Sequence, residues 1–332
     1  MKTAIFRLFS IALLASMLLA ACAPAATPTK APEPTKAAEP TKPAATAAPT
    51  KVPATAVPAS KYKEAPMLAE LVKAGKLPVV DQRLPANPMV YKGVSVGTYG
   101  GNWRMVMRGL DYNQIFKTFG LENLLAWSPD GKDVIPNLAE KYESSADGTE
   151  FTFYLRKGLK WSDGQPYTAN DIEFWWNEVA YNKDIYPTGM EVIMSGGEMG
   201  KFTKVDDYTF KLKFKAPYVL FLQRLAAPEG AYISSCPAHV AKQYHPNFAD
   251  KAKLDEMVKA GSFKAWTELF TNKMGNHCQS FWSTDARPTT YAWINEKAAG
   301  PNSTQVTFTR NPYYWKVDGE GNQYPYIDKI TA

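Results

Sequence analysis

The chain has 332 residues, of which 45% are hydrophobic and 13% aromatic, with 38 lysines and arginines against 32 acids. Of its formal net charge of +6, the stretch before residue 61 holds +4 (Lys2, Arg7, Lys30, Lys36, Lys42 and Lys51 against Glu33 and Glu39) and the remainder only +2. A nucleic-acid-binding domain concentrates basic charge on its folded part, and this balance excludes that class.

Lys2 and Arg7 precede an uncharged run from Leu8 to Ala21. The run is too short to cross a hydrocarbon core of about 30 Å at about 1.5 Å per helical residue, and residues 1–21 read as a secretory signal. Leu19, Ala20, Ala21 and Cys22 resemble the lipobox of bacterial lipoproteins, which implies cleavage before Cys22, a diacylglycerol on its thiol, and attachment to the extracytoplasmic face of the cell membrane. The bland alternative is an ordinary signal that happens to contain a cysteine. Residues 22–60 are almost wholly Ala, Pro, Thr, Lys and Glu, with Pro-Thr-Lys at 28–30, 34–36, 40–42 and 49–51. With no large side chains to bury, this segment reads as a disordered tether, with a reach on the order of 100 Å in polyproline form.

From residue 61 the composition becomes that of a packed protein. PMLAELVKAG, residues 66–75, places Met67, Leu68, Leu71 and Val72 on one face of a helix that stops at glycine. The chain turns strand-like near residue 94, and Gly100 and Gly101 lead it into alternating apolar positions. Asp147-Gly148 is a turn; after it Phe151, Phe153 and Leu155 alternate with Thr152, Tyr154 and Arg156, the signature of a half-buried strand. Ser162-Asp163-Gly164 is a second turn. Thr168 and Asp171 have capping-box spacing, and Ile172, Trp175, Trp176 and Val179 follow at the interval of a buried helical stripe. VDDYTFKLKFKAP supplies another turn and strand, helical patterns recur near 217–226, 237–244, 250–259 and 263–271, and TQVTFTRN is again a strand. The elements mix without regular βαβ alternation, which fits an α/β fold of the mixed α+β kind.

Chemistry-bearing residues are few. Lys211, Lys213 and Lys215 alternate with Phe210, Leu212 and Phe214, the wet face of a strand before a phosphate site. Cys236 and Cys278 are a possible disulfide pair in an exported protein, although sequence alone does not bring them together. His239, His245 and His277 make no metal-ligand spacing with them, so neither metal nor cofactor is expected. Asp163 and Asp171 could be a glycosidase's carboxylates, but both already serve as turn and cap, and no HExxH or Walker A string occurs. An enzyme is therefore not expected.

VIPNLAEKYESSADGTEFTFYLRKGLKWSDGQPYTANDIEFWW, VDDYTFKLKFKAP and RNPYYWKVDGEGNQYPYIDKI, with EAPMLAELVKAGKLPVVDQRLPANPMV before them, resemble conserved blocks of the extracellular solute-binding proteins, family 5, the peptide/nickel-type receptors of ABC importers. The likeness runs in order from Glu64 to Ile330. It implies a class II periplasmic-binding-protein clamshell whose two lobes close on a small solute, delivered to a permease driven by an ATPase. Oligopeptides are the expected solute and oligosaccharides the next; a surface carbohydrate-binding or adhesion lipoprotein is the rival class. The family's first lobe has two subdomains, and Ala332 falls where members enter the second, so 61–332 reads as the first lobe alone, with a monomer expected. Among candidate ligand contacts, Glu122, Asn123 and Leu124 match a family strand-loop that lines the cleft with backbone groups, and Tyr186 falls near an aromatic contact of peptide receptors. Trp282 and Trp293 flank STDARPTTYA, where relatives often carry Gly-Thr-Gly-Pro-Tyr. For each aromatic, simple packing is the competing explanation.

Overall fold

A computed structural model describes residues 60–91, 95–106, 121–278, 287–296 and 303–332. The signal segment, Cys22, the tether up to residue 59, the stretch at 92–94 and Trp282 lie outside the described residues. The strands of three or more residues are, in chain order, β1 (Asn102–Arg104), β2 (Leu125–Trp127), β3 (Val134–Pro136), β4 (Ala139–Ser144), β5 (Glu150–Leu155), β6 (Lys201–Asp206), β7 (Thr209–Lys213), β8 (Trp293–Asn295), β9 (Thr307–Arg310) and β10 (Lys329–Thr331). The helices used below are α1 (Pro66–Lys73), α2 (Ala169–Phe174), α3 (Phe221–Ala226), α4 (Gly230–Ser234), α5 (Lys251–Ala260) and α6 (Trp266–Met274).

The alternation after Asp147-Gly148 becomes β5, a central strand of an antiparallel sheet ordered β4-β5-β7-β6. Phe153 faces Phe210 and Phe151 faces Leu212 across β5 and β7, so both strands send their apolar sets to one side. Phe151, Phe153, Leu155, Phe210 and Leu212 are buried there, and the Phe153 and Phe210 rings stack at 5.3 Å. Burying each such side chain contributes about 1.5–3 kcal/mol. The lysines point to water: Lys211 meets Glu150 at 3.3 Å, Lys213 donates to Thr149 Oγ1 at 2.7 Å, and Lys215 pairs with Glu198. Each already has a local partner, as a solvated strand face requires.

A second sheet, ordered β8-β9-β10-β1, joins distant parts of the chain. β1 runs parallel to β10 with Trp103 opposite Ile330, and Met89–Val90 runs parallel to Lys316–Val317. Lys63 bridges to Asn322. Residues 63, 89–90 and 102–104 are thus closed onto residues 316–331, and the β4-β5-β7-β6 sheet belongs to the long excursion between them. Buried Arg83 ties the closure, bonding Glu64, the Pro312 carbonyl and Gln323 Oε1.

The capping box is present. Thr168 Oγ1 accepts from the Asn170 N–H at 3.3 Å and Asp171 Oδ2 from the Thr168 N–H at 2.9 Å. After Phe174 the helix loosens into a π-helical turn, Trp175–Ala180, which periodicity does not anticipate. Trp175 and Trp176 are fully buried, with Trp176 Nε1 donating to the Gly200 carbonyl at 2.8 Å. The α1 stripe is narrower than its spacing suggests: Leu68 is buried, but Met67 and Leu71 are 37% and 38% exposed, because α1 rests on the surface by one anchor. The helix expected from residue 217 starts at Phe221, the one near 237–244 splits into Ala238–Ala241 and a 3-10 turn, and α4 is additional.

Asp171 also accepts from the Ala238 N–H at 3.0 Å, and burial pushes its carboxyl up to about 6. Asp171→Ala strands two donors and is expected to cost about 2 kcal/mol by chemical denaturation. Because the folded-state pKa lies above the unfolded one, this group's contribution is full below about pH 4 and is lost as pH rises through 6. The gap between wild type and variant should therefore be larger at pH 4.5 than at pH 7.5.

Candidate ligand-binding site

The segment preceding β2 is held by a buried carboxylate. Glu122 Oε1 accepts from the Tyr314 hydroxyl at 2.6 Å, while Oε2 accepts from Asn137 Nδ2 at 2.9 Å and meets Lys316 Nζ at 2.9 Å. The Glu122 carbonyl accepts from Ser234 Oγ at 3.1 Å, and Asn123 Nδ2 donates to the Ala227 carbonyl at 2.7 Å. The carbonyls of Asn123 and Leu124 take N–H groups from residues 137–139. These bonds hold the turn at 227–229 and helix α4, which carries Tyr232.

Tyr232 meets two other aromatic groups from distant parts of the chain. Tyr186 is seated by its N–H bond to the Asn182 carbonyl at 2.7 Å and by the turn through Gly189, whose φ of +79° suits glycine. His277 follows α6 in a left-handed conformation, φ 59°, as does Cys278, φ 60°. Non-glycine residues adopt this region at a cost, and surrounding structure must impose it. Here the imposing contacts are identifiable: Cys278 is disulfide-bonded to Cys236 with Cα atoms 5.0 Å apart, and the His277 carbonyl accepts from Trp175 Nε1 at 3.2 Å. The π-helical turn and the disulfide thus set one imidazole.

The Tyr186 hydroxyl hydrogen-bonds His277 Nδ1, with the two ring planes 7° from parallel, and Tyr232 stacks on His277 at 4.2 Å. Burial pushes the His277 imidazole below its ordinary pKa and the Tyr186 phenol up to about 12. At neutral pH both groups are therefore uncharged, and a single hydrogen lies between the phenol oxygen and Nδ1. Together these rings wall a cavity of about 480 Å³, within the usual range of small-molecule sites. Arg224, Glu191 and Glu229 bring charge to it, with Arg224 3.3 Å from Glu191.

Of the residues singled out from sequence, Tyr186 lines this cavity. Glu122, Asn123 and Leu124 do not; they are buried, and their bonds support the wall that presents Tyr232. Trp293 lies on β8, half-buried, with its indole donating to the Ile327 carbonyl at 3.3 Å, away from the cavity lining. Sequence reasoning missed Tyr232, Arg224 and Glu229, and treated His277 only as a metal candidate. The adjacency of His277 to Cys278 was the available signal, since a cross-link positions its neighbour. His239 meets Asp163 at 2.7 Å and His245 meets Asn182 at 3.3 Å; among the described residues no group of three or more acids, histidines or cysteines could hold a metal. The string Gly93-Val94-Ser95-Val96-Gly97 has the spacing of a nucleophile elbow and also escaped sequence reasoning. Ser95 is exposed, and irregular chain leading to strand β1 follows it, where that motif needs a helix.

The mixed α/β fold is that of the periplasmic binding proteins among solved structures. The family model "Bacterial extracellular solute-binding proteins, family 5 Middle" matches residues 133–332, and the chain belongs to that family. The periplasmic alpha-galactoside-binding protein of Rhizobium meliloti is 30% identical over 294 residues, which cover 81% of this chain and 39% of that protein. Among solved structures, an oligopeptide-binding protein OppA matches with a TM-score of 0.74 and 39% identity, covering 82% of this chain and 41% of its own. MelB of Agrobacterium fabrum C58, in complex with stachyose, matches with a TM-score of 0.62 and 30% identity over 81% of this chain and 40% of its own. The chain thus spans about two fifths of the length of these relatives.

Two outcomes test this architecture. Replacing Cys236 and Cys278 by alanine should lower unfolding free energy by about 2–4 kcal/mol, read by calorimetry. Glu122→Ala leaves Lys316 and Tyr314 without their buried acceptor and should cost about 3–5 kcal/mol in denaturant titrations.

Proposed function

We propose that the chain is part of the substrate-binding component of an ABC importer, which captures an extracytoplasmic solute and delivers it to a membrane permease worked by an ATPase. The observation that carries this reading is the aromatic-walled cavity at Tyr186, Tyr232 and His277 in a member of a solute-binding family. Oligopeptides are the proposed solute, supported by the match to an oligopeptide-binding protein at 39% identity. Oligosaccharides are the second reading, favoured by relatives whose names specify an alpha-galactoside and stachyose. In this proposal Tyr186 touches solute directly, and Glu122, Asn123 and Leu124 act through the wall they hold; contacts by Trp282 and Trp293 would belong to other parts of the cleft.

The protein is further proposed to act as a monomer held at the outer face of the membrane by a lipid on Cys22. Confinement near a permease raises effective concentration without any new contact, which gives the Pro-Thr-Lys tether its purpose. Binding requires neither catalysis nor a cofactor in this scheme.

Calorimetric titration of the native full-length lipoprotein with di- to pentapeptides and with raffinose and stachyose tests the reading. Saturable binding by one panel is expected, with Tyr186→Ala weakening it on the order of tenfold, as removal of one aromatic anchor does. Absence of binding in both panels by folded protein would remove the solute-binding proposal.

A further inference from the structure

The charges around the cavity do not balance. Arg224 faces Glu191 at 3.3 Å, whereas Glu229 forms no ion pair among the described residues. His277 contributes no positive charge at neutral pH, because its burial between the Tyr186 and Tyr232 rings disfavours protonation. The lining therefore carries two carboxylates, one guanidinium and two tyrosines.

A ligand that fills this space covers Glu229 and strips its water. A covered carboxylate is costly unless the ligand supplies donors, and a cation compensates most fully. Tyrosine ring faces add attraction for a cation through their quadrupole. An anionic group would instead meet Glu191 and Glu229 with only the already engaged Arg224 in its favour. A neutral polyol can hydrogen-bond here but leaves the excess charge uncompensated.

We propose, resting on the solute-binding reading above, that this cavity receives a positively charged amine or guanidinium group of the solute, with Glu229 as its counter-ion and Tyr186 and Tyr232 as its walls. A volume of about 480 Å³ accommodates a lysine or arginine side chain with adjoining backbone. Glu229 is the residue that sets this preference. Glu191 contributes less, since Arg224 already opposes its charge.

The test compares trilysine, N-acetyl-trialanine amide and stachyose by calorimetry on the full-length protein, its Glu229→Gln variant and its Glu191→Gln variant. Glu229 is on the surface, so the variant should melt with the wild type. Trilysine is expected to bind at least about tenfold tighter than the blocked peptide, a preference that Glu229→Gln reduces by about tenfold and Glu191→Gln by less. Raising salt should weaken trilysine binding to the wild type more than to the Glu229→Gln protein. Equal affinity for blocked peptide and trilysine, or a preference unchanged in Glu229→Gln, overturns the cation assignment while leaving solute binding intact. Stachyose bound more tightly than trilysine does the same. No binding of any probe overturns both.

Discussion

The carboxylate of Glu122 is the constraint on which the rest of this structure depends. A charge buried to this degree must be paired and hydrogen-bonded, and its partners come from separate parts of the chain: Asn137 ahead of β4, and Tyr314 and Lys316 after β9. The same residue's carbonyl reaches Ser234 on α4. Asn137 passes the constraint on, since its carbonyl accepts from Arg156 Nε at 2.8 Å, and Arg156 also bonds the Asn87 carbonyl and covers the Trp315 ring. A handful of polar groups therefore registers the antiparallel sheet against the segments that close around β1 and β10.

The cavity is a consequence of that registration. Helix α4 is placed by Ser234 and by Asn123 holding the Ala227 carbonyl, and Tyr232 travels with it. On the facing side the Cys236–Cys278 bond and the Trp175 indole hold two consecutive left-handed residues, so that His277 stacks on Tyr232 and hydrogen-bonds Tyr186. The wall is preorganised because each ring is fixed from behind by bonds that do not involve ligand. Preorganisation reduces the entropy that binding must offset.

Residues that attract attention in isolation have structural work in this setting. The adjacent tryptophans 175 and 176 fill the core and donate to carbonyls, and the lysine row on β7 and beyond is matched by local acceptors. Asp163 closes a turn and faces His239, while Asp171 caps α2 and restrains Ala238.

The sequence by itself determined the local elements and the family. Period-two burial made β5 and β7, Thr168 and Asp171 capped α2, Asp147-Gly148 made a turn, and the ordered blocks from Glu64 to Ile330 resembled one family of solute receptors. These are short-range properties, decided by neighbouring side chains and backbone preference. Only the tertiary structure decided the site. Tyr186, Tyr232 and His277 lie in three separate segments and carry no shared motif; the π-helical turn and the left-handed pair at 277–278 arise where packing and a cross-link override local preference. For the same reason the part played by the Glu122 side chain, a buried hub behind the wall, was not legible, because hydrogen-bond partners far along the chain are invisible until the chain has folded.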